Sequence, residues 1–142
     1  FALTSGADGT LRLWDLTGGR QLKELLRYDA TMYAVAIHPQ GQLLAAAGAD
    51  RKVHVLDMAS GAEVRTLTGH TDFIHSLQFS PDGTQLASYG YAGYLKLWKT
   101  ADGVLLHESR QGKVGNSVAF SPDGTKLLLS GGDGLARVIP RP

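Results

Sequence analysis

An all-β fold, built by repeating one four-stranded unit, is predicted by three features of the 142-residue chain. The first is a turn of the form Pro-x-Gly that recurs as His38-Pro39-Gln40-Gly41, Ser80-Pro81-Asp82-Gly83 and Ser121-Pro122-Asp123-Gly124, at spacings of 42 and 41 residues. The second is a strand pattern, Arg12-Leu13-Trp14-Asp15, which returns as His54-Val55-Leu56-Asp57, Lys96-Leu97-Trp98-Lys99 and Arg137-Val138-Ile139-Pro140 at spacings of 42, 42 and 41. The third is the short period-2 apolar run on either side of each turn, the mark of a half-buried strand. Proline presets the first turn dihedral and glycine accepts the positive φ that follows. Four strands in about 40–45 residues describe one blade of a β-propeller.

The most complete unit lies in residues 67–99. It passes from Gly69-His70 through Ile74, Leu77 and Phe79, turns at Ser80–Gly83, continues through 86–88, and closes on Leu95-Lys96-Leu97-Trp98. Naming the strands a to d from axis to rim, Phe1-Ala2-Leu3-Thr4 aligns with Gln85-Leu86-Ala87-Ser88, a strand b. The first blade therefore shows b, c (11–15) and d (20–26). The second has strands at 33–37, 43–47, 52–57 and 63–67, with a turn at Ser60-Gly61. The third is completed by 104–107 after Asp102-Gly103, and the fourth has 116–120, 126–129 and 135–139. Pro140 and Pro142 bracket Arg141 in a tail that reads as a terminator, because proline has no N–H to give a sheet. The predicted units are 1–27 (partial), 28–69, 70–111 and 112–142 (partial), with 14 strands or three and a half blades. Ring closure protects sheet edges, so the chain reads as an arc of a longer propeller, with a larger single ring preferred over two associated copies.

Composition narrows the function classes. Apolar content of 43% with 19% charged residues describes a globular chain rather than a disordered one. A net charge of +1 gives no electrostatic footprint for nucleic acid or an anionic membrane. No apolar run reaches the ~18–20 residues of a membrane-spanning helix. The absence of cysteine removes disulfides and Cys-ligated metals, and leaves the compartment open between cytoplasm and an exported space.

The turn and strand repeats, with Gly69-His70 near the start of a unit and Trp14-Asp15 at the end of another, resemble the WD-repeat (WD40) β-propellers over essentially the whole chain. The signature is degenerate: Tyr28-Asp29 and Gly112-Lys113 stand in the Gly-His slot, and Lys99 follows Trp98. The resemblance implies four-stranded antiparallel blades and a ring that is most often seven-bladed. It also implies a buried network in which the motif His meets an Asp and a strand-b Ser or Thr, itself bonded to the Trp indole. His70, Ser88 and Trp98 match that network, with Ala92 in the Asp position. Thr4, Asp8 and Trp14 match in the first blade, while Asp50 and Asp133 hold the Asp position of the second and fourth. The network would satisfy an otherwise buried donor. His38, before a turn proline, and His54, in the slot of Arg12 and Lys96, are expected to be solvated.

In that family the partner surface is commonly formed by the start of strand a and the b–c turn. By position this nominates Thr31, Tyr33, Phe73, His75, Tyr91, Val114 and Asn116, with Ala49 beside them. Tyr33, Phe73, His75 and Tyr91 form an aromatic set of the kind that anchors interfaces. Catalytic patterns are weak. Gly6-Ala7-Asp8-Gly9 and Gly131-Gly132-Asp133-Gly134 lead into strands, with no helix or Gly-Lys-Ser/Thr to hold phosphate. The Asp-Gly pairs lack calcium-loop spacing, no Gly-x-Ser-x-Gly elbow occurs, and no histidine pair has zinc spacing. The expected function is a non-catalytic scaffold presenting loop surfaces to other proteins, with no cofactor or metal and no catalytic residue. The remaining part of the same propeller is one such partner. The alternative is a propeller enzyme, or a cofactor-linked domain, with a metal or cofactor at the channel mouth supplied partly by residues outside the chain.

Overall fold

The computed structural model describes residues 1–142. It contains no helix, and its 14 strands run in chain order as four antiparallel meanders. The first sheet is β1 (Ala2–Ser5), β2 (Thr10–Asp15) and β3 (Arg20–Arg27). The second is β4 (Met32–Ile37), β5 (Leu43–Gly48), β6 (Val53–Asp57) and β7 (Glu63–Leu67). The third is β8 (Ile74–Phe79), β9 (Gln85–Gly90), β10 (Tyr94–Lys99) and β11 (Leu105–Arg110). The fourth is β12 (Gly115–Phe120), β13 (Lys126–Gly131) and β14 (Ala136–Pro140). The all-β reading and the propeller-blade meanders are therefore present, with strand ends displaced by one to three residues at several places.

Each sheet packs face to face on the next, and the side-chain period of two decides which residues enter which interface. Leu11 and Leu25 meet Met32, Leu44, Ala46 and Leu56 between the first and second sheets. Ala45, Ala47, Val53, Val55 and Leu67 meet Ile74, Leu77, Phe79, Leu86 and Trp98 between the second and third. Ala87, Tyr89, Leu95 and Leu97 meet Val118, Phe120, Leu127 and Leu129 between the third and fourth. Strand β5 therefore sends Leu44 and Ala46 one way and Ala45 and Ala47 the other, and all four are buried. The first strands of successive blades, β4, β8 and β12, are neighbours. Strands β8 and β12 are cross-tied, since Val118 N–H donates to Ser76 Oγ at 3.1 Å and Phe120 N–H donates to Gln78 Oε1.

Three local features differ from the sequence reading. His38 is buried, not solvated: the ring stands edge-on to Phe79 at 5.2 Å, and Nε2–H donates to the Gly83 carbonyl at 3.0 Å. Nδ1 then accepts from Gln40 N–H at 3.3 Å. His54 is buried as well, between Asp50 Oδ2 (2.7 Å from Nε2) and Glu63 Oε2 (3.0 Å from Nδ1). Its escape from solvent follows from two carboxylates that satisfy both ring nitrogens. The tail also has a fixed place: Arg141 N–H donates to Thr125 O at 2.8 Å, and its guanidinium reaches Asp82, Thr84 and Gln85, each at 2.9 Å. Pro140 is tolerated as the last residue of β14 because that edge asks no donor of it.

Candidate partner-binding face

The loops joining one blade's outer strand to the next blade's inner strand, and the turns between second and third strands, lie on one side of the molecule. Backbone bonds hold them together: Ala49 N–H donates to Thr31 O at 2.9 Å, Tyr91 N–H to Phe73 O at 2.7 Å, and Gly132 N–H to Val114 O at 3.0 Å. These bonds carry side chains from three sheets into one surface. Tyr33 and Phe73 rings are 6.0 Å apart, Tyr33 and His75 are edge-on at 5.4 Å, and His75 and Tyr91 are edge-on at 5.4 Å. Tyr33, Phe73 and Tyr91 are 45%, 42% and 46% exposed, so the strip is anchored by ring–ring contact and open to solvent. Thr31 Oγ1 donates to Ala7 O at 3.3 Å, away from the strip. Asn116 is exposed and Val114 half-buried, and neither makes a ring or side-chain hydrogen bond with the four aromatics.

Behind this face lies the polar network. Trp98 Nε1–H donates to Ser88 Oγ at 2.8 Å, and His70 Nε2 lies 2.7 Å from the same oxygen. Burial, helped by the nearby Lys96 charge, pushes the His70 pKa down to about 4. Trp14 Nε1–H donates to Thr4 Oγ1 at 2.8 Å in the first sheet. The aspartates stand apart from these relays. Asp8 holds Arg12 at 2.7 Å, Asp133 holds Arg137 at 2.5 Å, and Asp50 holds His54. In the third sheet Ala92 offers no carboxylate, and the buried Lys96 turns instead to Glu108 on β11. Hydrogen bonds from Arg12 and Thr10 hold the Asp8 carboxyl well below its usual range, as Arg137 does for Asp133. This basic-to-acid tie was legible as a four-residue spacing in three of the four repeats, but the Glu108 and Glu63 substitutes were not.

No group of three or more His, Asp or Glu side chains is placed to hold a metal ion. The family described as "WD domain, G-beta repeat" matches residues 1–15, 19–57, 61–99 and 104–139. The chain belongs to the WD-repeat family. Comparison with curated proteins finds no match. WD repeats are generally protein-interaction scaffolds, and three of the four matched segments of this WD-repeat chain cross from one sheet into the next, the first lying within β1 and β2. Each match from the second onward takes in the outer strand of one blade and the inner strands of the following one, such as β7 with β8 to β10.

Proposed function

We propose that the chain is a non-catalytic scaffold that captures a protein partner on the loop face, with Tyr33, Phe73, His75 and Tyr91 as its anchors. The observation that carries this reading is the continuous chain of ring contacts across two blades, left open on its outer side. Aromatic side chains bury large areas for little conformational entropy, and edge-to-face partners hold them in place before a ligand arrives. Thr31 and Ala49 are joined to each other by a backbone bond at 2.9 Å, and Val114 and Asn116 flank Gly115, whose N–H donates to Tyr91 O at 3.2 Å. No sheet element has to move for a partner to bind there.

Photo-crosslinking tests the proposal directly. A benzophenone amino acid placed at Tyr33 or Tyr91 in the native protein should give one discrete adduct in its own cell, whereas the same group at the exposed rim residues Val64 or Leu106 should give none. Equal adducts at rim and loop face, or none from the loop face, would contradict it.

A further inference from the structure

Four turns between second and third strands share one backbone, so the repeat serves as its own control. They are Gly6–Gly9, Gly48–Arg51, Gly90–Gly93 and Gly131–Gly134, each closed by a bond from the fourth N–H to the first carbonyl at 2.9–3.3 Å. The fourth residue is left-handed every time, with φ of 75°, 65°, 80° and 76°. Three are glycine. Arg51 is the one non-glycine residue of the chain with positive φ, a conformation that strains any residue with a Cβ.

The surroundings of Arg51 are also different. At Gly9 a Cβ would meet Tyr28 O at 2.0 Å, and at Gly93 it would meet Gly112 O at 2.4 Å, because the following loop lies against the turn. That loop is clamped by Tyr28 N–H to Gly9 O (2.9 Å) and by Gln111 N–H to Gly93 O (2.7 Å). No bond of this kind reaches Arg51 O. The loop there stands away from the turn and leaves a depression of about 400 Å³ lined by Asp50, Arg51, Lys52, Thr68, Gly69, His70 and Thr71. Arg51 and Lys52 are exposed, and neither side chain has a hydrogen bond or an acid partner. The Asp50 carboxylate is already committed to His54 and to Lys52 N–H. Of the other acids on this side, Asp72 accepts from Phe73 N–H at 2.8 Å, and Asp29, on the loop before β4, is exposed with no side-chain hydrogen bond or ion pair.

We infer that this groove is the anion-binding half of the loop face and takes an acidic segment of a protein partner. Arg51, Lys52 and the two threonine hydroxyls are donors with no acceptor of their own, and an arginine fork suits carboxylate geometry. An open depression with two cations and two hydroxyls along its lining fits several carboxylates along a peptide better than one point anion. The loop that lines it runs from Thr71 straight to Phe73, so an acidic stretch seated here would lay adjoining apolar residues on the aromatic strip. The inference rests on the scaffold reading for that second half only.

The test is fluorescence anisotropy with the full chain and a labelled peptide of alternating Glu and Leu. Binding is expected at low salt, weakening as salt rises, and falling about tenfold or more in the R51G/K52S double variant. The control K126S, an exposed cation remote from the groove, should bind as the parent does. R51G alone should raise the melting temperature, because it removes the strained side chain. Loss in R51G/K52S with no loss in Y33A/F73A/Y91A would keep the groove and remove the aromatic anchors. Unchanged binding in R51G/K52S, no binding of the peptide to the parent, or equal capture of a single-stranded oligonucleotide or of phosphatidylserine vesicles would overturn the inference.

Discussion

Trp98 and Trp14 occupy the same place in the repeat, donate through Nε1 to the same type of hydroxyl at the same 2.8 Å, and yet live in different surroundings. Trp98 is 3% exposed between the second and third sheets. Trp14 lies on the face of the first sheet that no other sheet covers, beside an open hollow lined by Ala2, Thr4 and Leu16. The fourth sheet repeats the contrast within one strand: Leu129 is fully buried against the third sheet while Leu128, its neighbour, is 47% exposed. What separates these residues is the number of neighbouring sheets, not residue type or hydrogen bonding. In a repeat fold, stability is a sum over intrinsic units and their interfaces. The two inner sheets take part in two interfaces each, and the outer sheets in one.

That comparison can be broken by substitution. Trp98→Ala should lose roughly 3–5 kcal/mol in urea unfolding, through lost contacts and a cavity. Trp14→Ala should lose roughly 1–2 kcal/mol, since much of its ring already meets solvent. Equal losses would show that the sheet on either side is irrelevant. Glycine offers a sharper version. Gly93→Ala and Gly134→Ala carry the same positive-φ strain, but a Cβ at Gly93 runs into the Gly112 carbonyl and one at Gly134 meets nothing within 4 Å. The first should cost roughly 2–3 kcal/mol and the second about 1 kcal/mol.

The hydrogen bonds give the next largest effect. Ser88→Ala strands the buried Trp98 N–H and should cost about 1–3 kcal/mol, whereas Thr4→Ala leaves the Trp14 N–H to water and should cost about 0.5 kcal/mol. The pH dependence separates the sheets as well. The His70 pKa is lowered to about 4 in the fold, so the unfolded chain binds more protons at lower pH. The stability contributed by neutral His70 is complete above the ordinary histidine value near 6.5 and is lost as pH falls toward about 4, by an amount on the order of 1–3 kcal/mol. A His70→Gln variant should flatten the stability profile in that window. The carboxylates held below their usual range, such as Asp8, Asp82 and Asp133, act only at lower pH. A slope unchanged by the substitution would place the titration elsewhere.

Much of this was readable from residue order because a blade is local. The Pro-x-Gly turns, the alternation in β8 to β10 and the place of Trp98 depend on neighbours within one repeat. The Ser88–Trp98 and Thr4–Trp14 positions followed from the family resemblance for the same reason. What escaped depends on contacts between repeats or on paired replacements. His38 looked solvated because its cover, Phe79 and the Gly83 carbonyl, comes from the next blade. His54 looked solvated because its second carboxylate, Glu63, lies on the outer strand, and Tyr28, in the vacant histidine slot, donates to that carboxylate at 2.8 Å. Arg141 looked like part of a terminator, yet it crosses to β9 and the Ser80–Gly83 turn. For Arg51 the signal was present: glycine fills its position in the other three repeats, and the departure marked the one turn whose loop stands open.

Amide hydrogen exchange read by mass spectrometry tests the stacked-sheet account most directly. Peptides covering β5–β6 and β9–β10 should exchange slowest and together, with β1 and β14 exchanging well ahead of them. Uniform protection across all four sheets, or faster exchange in β5 and β9 than in β1 and β14, would contradict it.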